Sequence, residues 1–213
     1  MRAGDALVKA LEAEGVNYIT GFAGGGLAPL FPALRESETI KLFAARHERL
    51  GVEIADGYAR ATGKVGVAAT GTGPGATNTL TGIAGAFADN IPVLLLMGQH
   101  PLRNLGKEYQ QEVSSSIFDT LVKWKGTITR ADEVSAIMRR AFTNLRSGSP
   151  GPVVVEMPQD VMGAEAPDEA FAYDPVGPGR RPAADSRDME YCPLTGTRAG
   201  LHSRLRTLRI PRQ

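Results

Sequence analysis

The chain has 213 residues, of which 42% are hydrophobic and 22% are charged, and its formal net charge is +1. This balance suits one globular domain with some additional chain, and it excludes the strongly basic surface typical of proteins that bind nucleic acid or anionic membranes. The single cysteine, Cys192, excludes an internal disulfide framework, and the three histidines have no cysteine neighbours that would suggest structural zinc. Because no apolar run could cross a bilayer or serve as a signal peptide, we expect a cytoplasmic protein.

Apolar residues predict alternating helices and strands along the first three quarters of the chain. Ala6, Leu7, Ala10 and Leu11 recur at helical spacing near the amino terminus. Short apolar runs separated by glycine-rich turns follow, and each unit has the length of one strand and one helix. Since these runs are continuous rather than alternating, we predict an α/β fold, a parallel sheet with helices on both faces. The predicted strands are 17–22, 40–44, 65–70, 93–97 and 153–157, and the predicted helices are 3–14, 27–35, 48–61, 76–88 and 132–146.

The composition changes after about residue 158. Prolines and glycines interspersed with arginines between 167 and 182 are typical of a linker. The segment 191–213 holds five arginines, no acidic residue and no regular apolar period. We therefore predict a domain at 1–165, a linker at 166–190 and an irregular tail at 191–213. A shifted reading frame or a truncated gene is our hypothesis for the tail.

Glu48 is the first candidate for chemistry, because it follows a predicted strand and opens a predicted helix. A side chain at that position projects from the carboxyl edge of a parallel sheet, where ligands bind in such folds. The alternative is an acid in the first helical turn that only complements the helix dipole. The sequence pattern leaves both interpretations open.

The loop Thr70-Gly-Thr-Gly-Pro-Gly-Ala-Thr-Asn78 is a second candidate. It follows a strong predicted strand, and its backbone amides could approach an anion or a flat polar ring. It is neither a Walker motif nor a dinucleotide-binding fingerprint, and a tight turn explains it about as well. Further glycine turns at Gly24–Gly26 and Gly98 should lie at the same edge of the sheet, which favours a binding crevice there.

Five segments, in matching order and spacing, resemble the thiamine-diphosphate enzyme superfamily, and most closely the large subunits of acetolactate synthase. The resemblance extends from about Ala3 to Val161. The segments are GFAGGGLAPL at 21–30, RHE at 46–48, ADGYARATG at 55–63, GTGPGATN at 71–78 and IPVLLLMGQ at 91–99.

The resemblance implies a role for particular side chains. Glu48 matches the catalytic glutamate, which hydrogen-bonds the aminopyrimidine ring of thiamine diphosphate and favours its imino form. Pro74 and Asn78 would help to hold that ring, and Gly25 and Gln111 would lie near the reacting substrate. In this family a separate domain with a Gly-Asp-Gly motif binds the diphosphate and Mg²⁺, and a middle domain provides any FAD contacts. No Gly-Asp-Gly occurs in this sequence.

The resemblance also implies the function and the partners. We expect the thiamine-diphosphate-binding half-site of an acetolactate-synthase-like carboligase or 2-oxoacid decarboxylase, in a chain that is truncated before the middle domain. The alternatives are the pyrimidine-binding subunit of a split decarboxylase and a non-catalytic module that binds a partner. The expected partners are a small 2-oxoacid and either further copies of the chain or a diphosphate-binding subunit, with no nucleic acid and no membrane.

Overall fold

Six strands form one sheet in which every neighbouring pair is parallel. In the computed structural model, which describes residues 1–21, 24–107 and 112–177, the strand order is β2-β1-β3-β4-β6-β5. The predicted parallel α/β fold is confirmed. The strands are β1 Tyr18–Gly21, β2 Lys41–Ala44, β3 Gly66–Thr70, β4 Val93–Gln99, β5 Trp124–Thr127 and β6 Val153–Pro158.

Helices cover both faces of the sheet. They are α1 Ala3–Ala13, α2 Phe31–Glu36, α3 Glu48–Thr62, α4 Pro74–Asn78, α5 Leu80–Ala88, α6 Val134–Arg146 and α7 Gln159–Gly163. The helix predicted over 27–35 is instead a 3₁₀ turn, Gly25–Leu30, followed by α2. Pro32, in the first turn of α2, has no amide hydrogen to donate to the carbonyl of Ala28, so one continuous α-helix over 27–35 would lack that hydrogen bond.

The central strands β3, β4 and β6 are buried along their whole length. Successive residues of β4 point to opposite faces: Leu94 and Leu96 pack in the cluster with α1 and α6, whereas Leu95 and Met97 pack with α3 and α5. This alternation follows from the two-residue period of a strand. It explains why the sequence of β4 is apolar without interruption from Val93 to Met97.

Two local features differ from the sequence prediction. Strand β5, Trp124–Thr127, was not predicted, because it lies at the edge of the sheet, is half-buried and contains Lys125 and Gly126 in place of an apolar run. The helix predicted over 76–88 is two helices, α4 and α5, which meet at the buried Thr79.

The segment after α7 packs against the domain as far as residue 177. Phe171 is buried in the same cluster as α1 and α6. The hydroxyl of Tyr173 donates to Glu14 Oε1 at 2.6 Å, and Arg146 donates to the carbonyl of Gly177 at 3.0 Å. The domain limits at 165 and 190 remain predictions, and the predicted tail lies outside the described residues. None of the helices described here is long and apolar enough to span a membrane.

Candidate functional site

Glycine turns meet at the carboxyl ends of three neighbouring strands. A Cβ atom built on Gly24, after β1, would lie 3.0 Å from the Cα atom of Gly71, after β3. A Cβ atom on Gly26 would lie 3.1 Å from the backbone of Gly98 in β4. These backbones therefore approach so closely that a side chain at either glycine would be crowded. The structure brings together, at one sheet edge, the turns that the sequence places there.

Glu48 is the first residue of α3 and stands beside this group of turns. The residue before it, His47, has an extended backbone, and its Nδ1 atom accepts a hydrogen bond of 3.2 Å from the backbone N–H of Arg49. Since His47 caps the helix, Glu48 is free of that role. Its side chain is half-buried, a setting in which a carboxyl group can still meet a ligand.

Asn78 contacts Glu48 directly, although 30 residues separate them in the sequence. Its Nδ2 atom donates to Glu48 Oε2 at 3.0 Å. Among the described residues, Glu48 Oε1 receives no hydrogen bond. The carboxyl group is therefore oriented through one oxygen, while the other remains able to bind a ligand.

The glycine loop passes beneath the same carboxyl group. Gly73 has a φ of 54°, in the region that favours glycine, and this turn leads the chain from β3 into α4. A Cβ atom on Gly75 would lie 2.9 Å from Thr70 Oγ1 and 3.5 Å from Glu48 Oε1. Glycine at position 75 thus leaves space beside both polar atoms.

The other predicted site residues are placed less directly. Pro74 opens α4 and Gly25 opens the 3₁₀ turn, and both are exposed at the crevice edge without a described contact to Glu48. Gln111 lies outside the described residues. His100, which the prediction left without a role, places Nε2 3.4 Å from Thr72 Oγ1 of the glycine loop.

A buried carboxylate network also lies near this edge of the sheet and was missed by the sequence analysis. Glu156 of β6 is only 6% exposed. It accepts hydrogen bonds of 2.8 Å from Gln99 Nε2, Ser115 Oγ and Thr127 Oγ1. Gln99 also donates to the carbonyl of Val113 at 2.9 Å. A glutamate within an apolar strand was the signal for this network, because a buried carboxylate needs donors.

The site suits a flat polar ring better than a metal ion. In the parts of the chain that the structure describes, no three His, Cys, Asp or Glu side chains come together as metal ligands. By contrast, Glu48 and Asn78 present a carboxyl and an amide group over a glycine-rich surface. These two side chains are the groups that could hold an aminopyrimidine.

Comparison with known proteins agrees with this geometry. Residues 1–119 match the family described as thiamine pyrophosphate enzyme, N-terminal TPP binding domain. The probable acetolactate synthase large subunit of Methanocaldococcus jannaschii is 40% identical over 172 residues, which are 80% of this chain and 29% of that protein. The corresponding protein of Methanococcus aeolicus is 42% identical over 166 residues, 78% of this chain and 28% of that protein.

A third relative gives a similar result. The acetolactate synthase large subunit of Parasynechococcus marenigrum is 40% identical over 178 residues, 82% of this chain and 28% of that protein. The chain thus spans less than a third of the length of these relatives, and Glu48, Pro74 and Asn78 all lie within the family match. The chain belongs to the thiamine pyrophosphate enzyme family, in which it corresponds to the N-terminal TPP-binding domain of acetolactate-synthase-like enzymes.

Proposed function

We propose that this chain supplies the pyrimidine-binding half of a thiamine-diphosphate site, in an acetolactate-synthase-like carboligase or 2-oxoacid decarboxylase. The observation that carries the proposal is the contact between Glu48 and Asn78, 3.0 Å long, at the edge where the glycine turns meet. Two motifs of the matched family segment form this contact, although they are far apart in sequence.

The role of each side chain follows from its surroundings. When bound, thiamine diphosphate supplies the carbanion chemistry that 2-oxoacid decarboxylation and carboligation need. Glu48 would carry a proton on its carboxyl group toward a nitrogen of the pyrimidine ring, and Asn78 orients that carboxyl group by donating to Oε2.

The diphosphate group and Mg²⁺ need ligands from another protein surface. The sequence has no Gly-Asp-Gly, the motif that the family resemblance associates with the diphosphate and Mg²⁺, and in the described residues no three His, Cys, Asp or Glu side chains come together as metal ligands. We propose that a diphosphate-binding domain, in a second copy or in a different polypeptide, completes the site. This chain alone would then hold only the aminopyrimidine ring.

An apolar surface beside α3 is the proposed contact with that second protein. Leu50 and Ile54, one helical turn apart, are 45% and 43% exposed, and Phe43 on the edge strand β2 is 55% exposed. Phe43, Ile54 and Tyr58 line an apolar hollow between α3 and the edge of the sheet. Such a surface favours association. We expect the purified chain to self-associate on sizing, and a stable monodisperse monomer would contradict this.

Binding of the thiamine pyrimidine fragment, an aminopyrimidine with a hydroxymethyl group, tests the half-site directly. We expect wild-type chain to bind it in an NMR titration and Glu48→Gln to bind about tenfold more weakly, because a hydrogen bond to a charged group is lost. Glu53→Gln is the matched control, since Glu53 lies on the same helix and pairs with Arg49. Equal affinity in wild type and Glu48→Gln would refute the assigned role of Glu48.

Calorimetric titration of thiamine diphosphate with Mg²⁺ tests the need for a partner. We expect binding when a diphosphate-binding subunit is present, and much weaker binding to this chain alone. Glu48→Gln in the assembled complex then distinguishes a catalytic half-site from a non-catalytic module. Loss of carboligase or decarboxylase turnover supports the half-site, and full turnover supports the module.

A further inference from the structure

His100 directly follows β4 at the carboxyl edge of the sheet and contacts the glycine loop. Its side chain is half-buried, and its Nε2 atom lies 3.4 Å from Thr72 Oγ1. Within the described residues, the other ring nitrogen, Nδ1, makes no hydrogen bond. One nitrogen of the ring thus meets the protein, and the other is able to meet a ligand.

The backbone of His100 is held by a buried side chain. Gln99 is only 2% exposed, and its Oε1 atom accepts a hydrogen bond of 2.9 Å from the backbone N–H of His100. Its Nε2 atom donates to Glu156 Oε1 at 2.8 Å and to the carbonyl of Val113 at 2.9 Å. Because both ends of this amide are bonded, its orientation is fixed. The interior of the domain therefore sets the position of His100, as a binding residue requires.

His100 lies beside the first glycine turn as well. By the alternation along β4, Gly98, two residues earlier, lies on the same side of the sheet. A Cβ atom on Gly26 would lie 3.1 Å from Gly98 and 3.0 Å from Thr72 Cγ2. The methyl group of Thr72 is thus near the Gly26 turn, and its hydroxyl is near the His100 ring.

The glycine loop joins two polar groups of different chemistry. At one end, Asn78 bonds to Glu48, where we place the pyrimidine ring. At the other end, Thr72 contacts His100. No charged residue lies between positions 72 and 78. An ionised Glu48 repels an anion, whereas an imidazole N–H can donate a hydrogen bond to one.

We propose that His100 is a substrate-binding residue whose Nδ1–H group donates to the carboxylate of a small 2-oxoacid. In this arrangement the Thr72 hydroxyl donates to Nε2, so the neutral ring carries its proton on Nδ1. Hydrogen bonds from N–H groups to carboxylates are charge-assisted and stronger than neutral ones. The identity of the anion rests on the proposed function, because 2-oxoacids are the substrates of the reactions proposed above.

Binding of pyruvate, a small 2-oxoacid, to the full chain tests the proposal. Saturation-transfer NMR at the pyruvate methyl group measures the affinity. We expect His100→Phe, which keeps a ring but has no donor, to bind about tenfold more weakly than wild type. His100→Asn should remain within about threefold, because its amide nitrogen replaces Nδ1 as the donor. Acetone, which has the carbonyl group but no carboxylate, should not bind measurably.

His47 is the internal control in the wild-type chain. It is exposed, and its Nδ1 atom already accepts a hydrogen bond from the backbone N–H of Arg49. Pyruvate should shift the imidazole resonances of His100 and leave those of His47 in place. Equal shifts at the two rings, no binding to wild type, or equal affinities of His100→Phe and His100→Asn would overturn the proposal. If His100→Phe does not fold, His100→Leu takes its place.

The role of His100 and the proposed function fail in different ways. Glu48-dependent binding of the pyrimidine fragment, together with pyruvate binding that ignores position 100, leaves the proposed function intact and refutes the role of His100. Pyruvate binding that depends on His100, with no binding of the fragment to the wild-type chain, supports a carboxylate site and refutes the pyrimidine half-site.

Discussion

Replacing Glu156 by alanine should destabilise the domain severely. The carboxylate accepts hydrogen bonds from Gln99, Ser115 and Thr127. Gln99 and Ser115 are 2% and 4% exposed, so their donors cannot turn to water when the carboxylate is removed. Each unpaired buried donor costs about 1 to 3 kcal/mol, and we expect Glu156→Ala to lose about 4 kcal/mol of unfolding free energy.

Glu156→Gln should destabilise the domain much less, with a loss of about 1 kcal/mol of unfolding free energy. Its carbonyl oxygen can face Gln99, which only donates there, while its amide faces Ser115 and Thr127, whose hydroxyls can rotate to accept. Urea unfolding followed by fluorescence of Trp124, the single tryptophan, measures both variants. Glu38→Ala, on an exposed glutamate, is the control. A loss below about 1 kcal/mol for Glu156→Ala would refute the reasoning.

Two further predictions concern stability. Gly66→Ala should lower the melting temperature sharply, because the new Cβ atom would lie 2.0 Å from the Ala55 carbonyl oxygen. Gly57→Ala lies in open space on α3 and should raise the unfolding free energy by about 0.5 to 1 kcal/mol. Similar melting temperatures for the two variants would contradict this prediction. Burial and the hydrogen bond to Glu14 raise the pKa of Tyr173 in the folded chain. The contribution of Tyr173 to the unfolding free energy is therefore complete below about pH 10, where the hydroxyl is protonated in both states. It is lost as the pH rises further, by up to about 1.4 kcal/mol per pH unit. Between about pH 9 and 11.5, the unfolding free energy measured in urea should fall less steeply with pH for Tyr173→Phe than for wild type. Equal slopes for the two proteins would contradict the pKa shift.

The fold was predictable from the sequence at those strands that are fully buried, because burial there requires apolar residues. Strand β4 is buried on both faces, so each of its residues is apolar up to Met97 and the strand was visible from the sequence. Strand β5 lies at the edge with one neighbour, β6, and its Trp-Lys-Gly-Thr sequence has no period that distinguishes it from a loop. Whether a strand lies at the edge of a sheet depends on the tertiary fold, and the local sequence pattern does not reveal it.

The site was predictable in part. The positions of Glu48 and the glycine loop at the carboxyl edge follow from strand–helix alternation, and the pairing of Glu48 with Asn78 is consistent with both expectations. The donors to Glu156 come from three separate segments, so no local pattern could predict that network.

The two glutamates near the sheet edge show why hydrogen-bond geometry, rather than residue type, decides which carboxyl group can bind a ligand. Glu156 is only 6% exposed and accepts hydrogen bonds on both oxygens from Gln99, Ser115 and Thr127, so the protein already uses both oxygens and the carboxylate links β4, β5 and β6. Glu48 is half-buried and has one described donor, Asn78, on one oxygen. A carboxyl group that must exchange a proton with a ring nitrogen needs an oxygen that the protein orients without saturating it. Only Glu48, of these two, meets that condition.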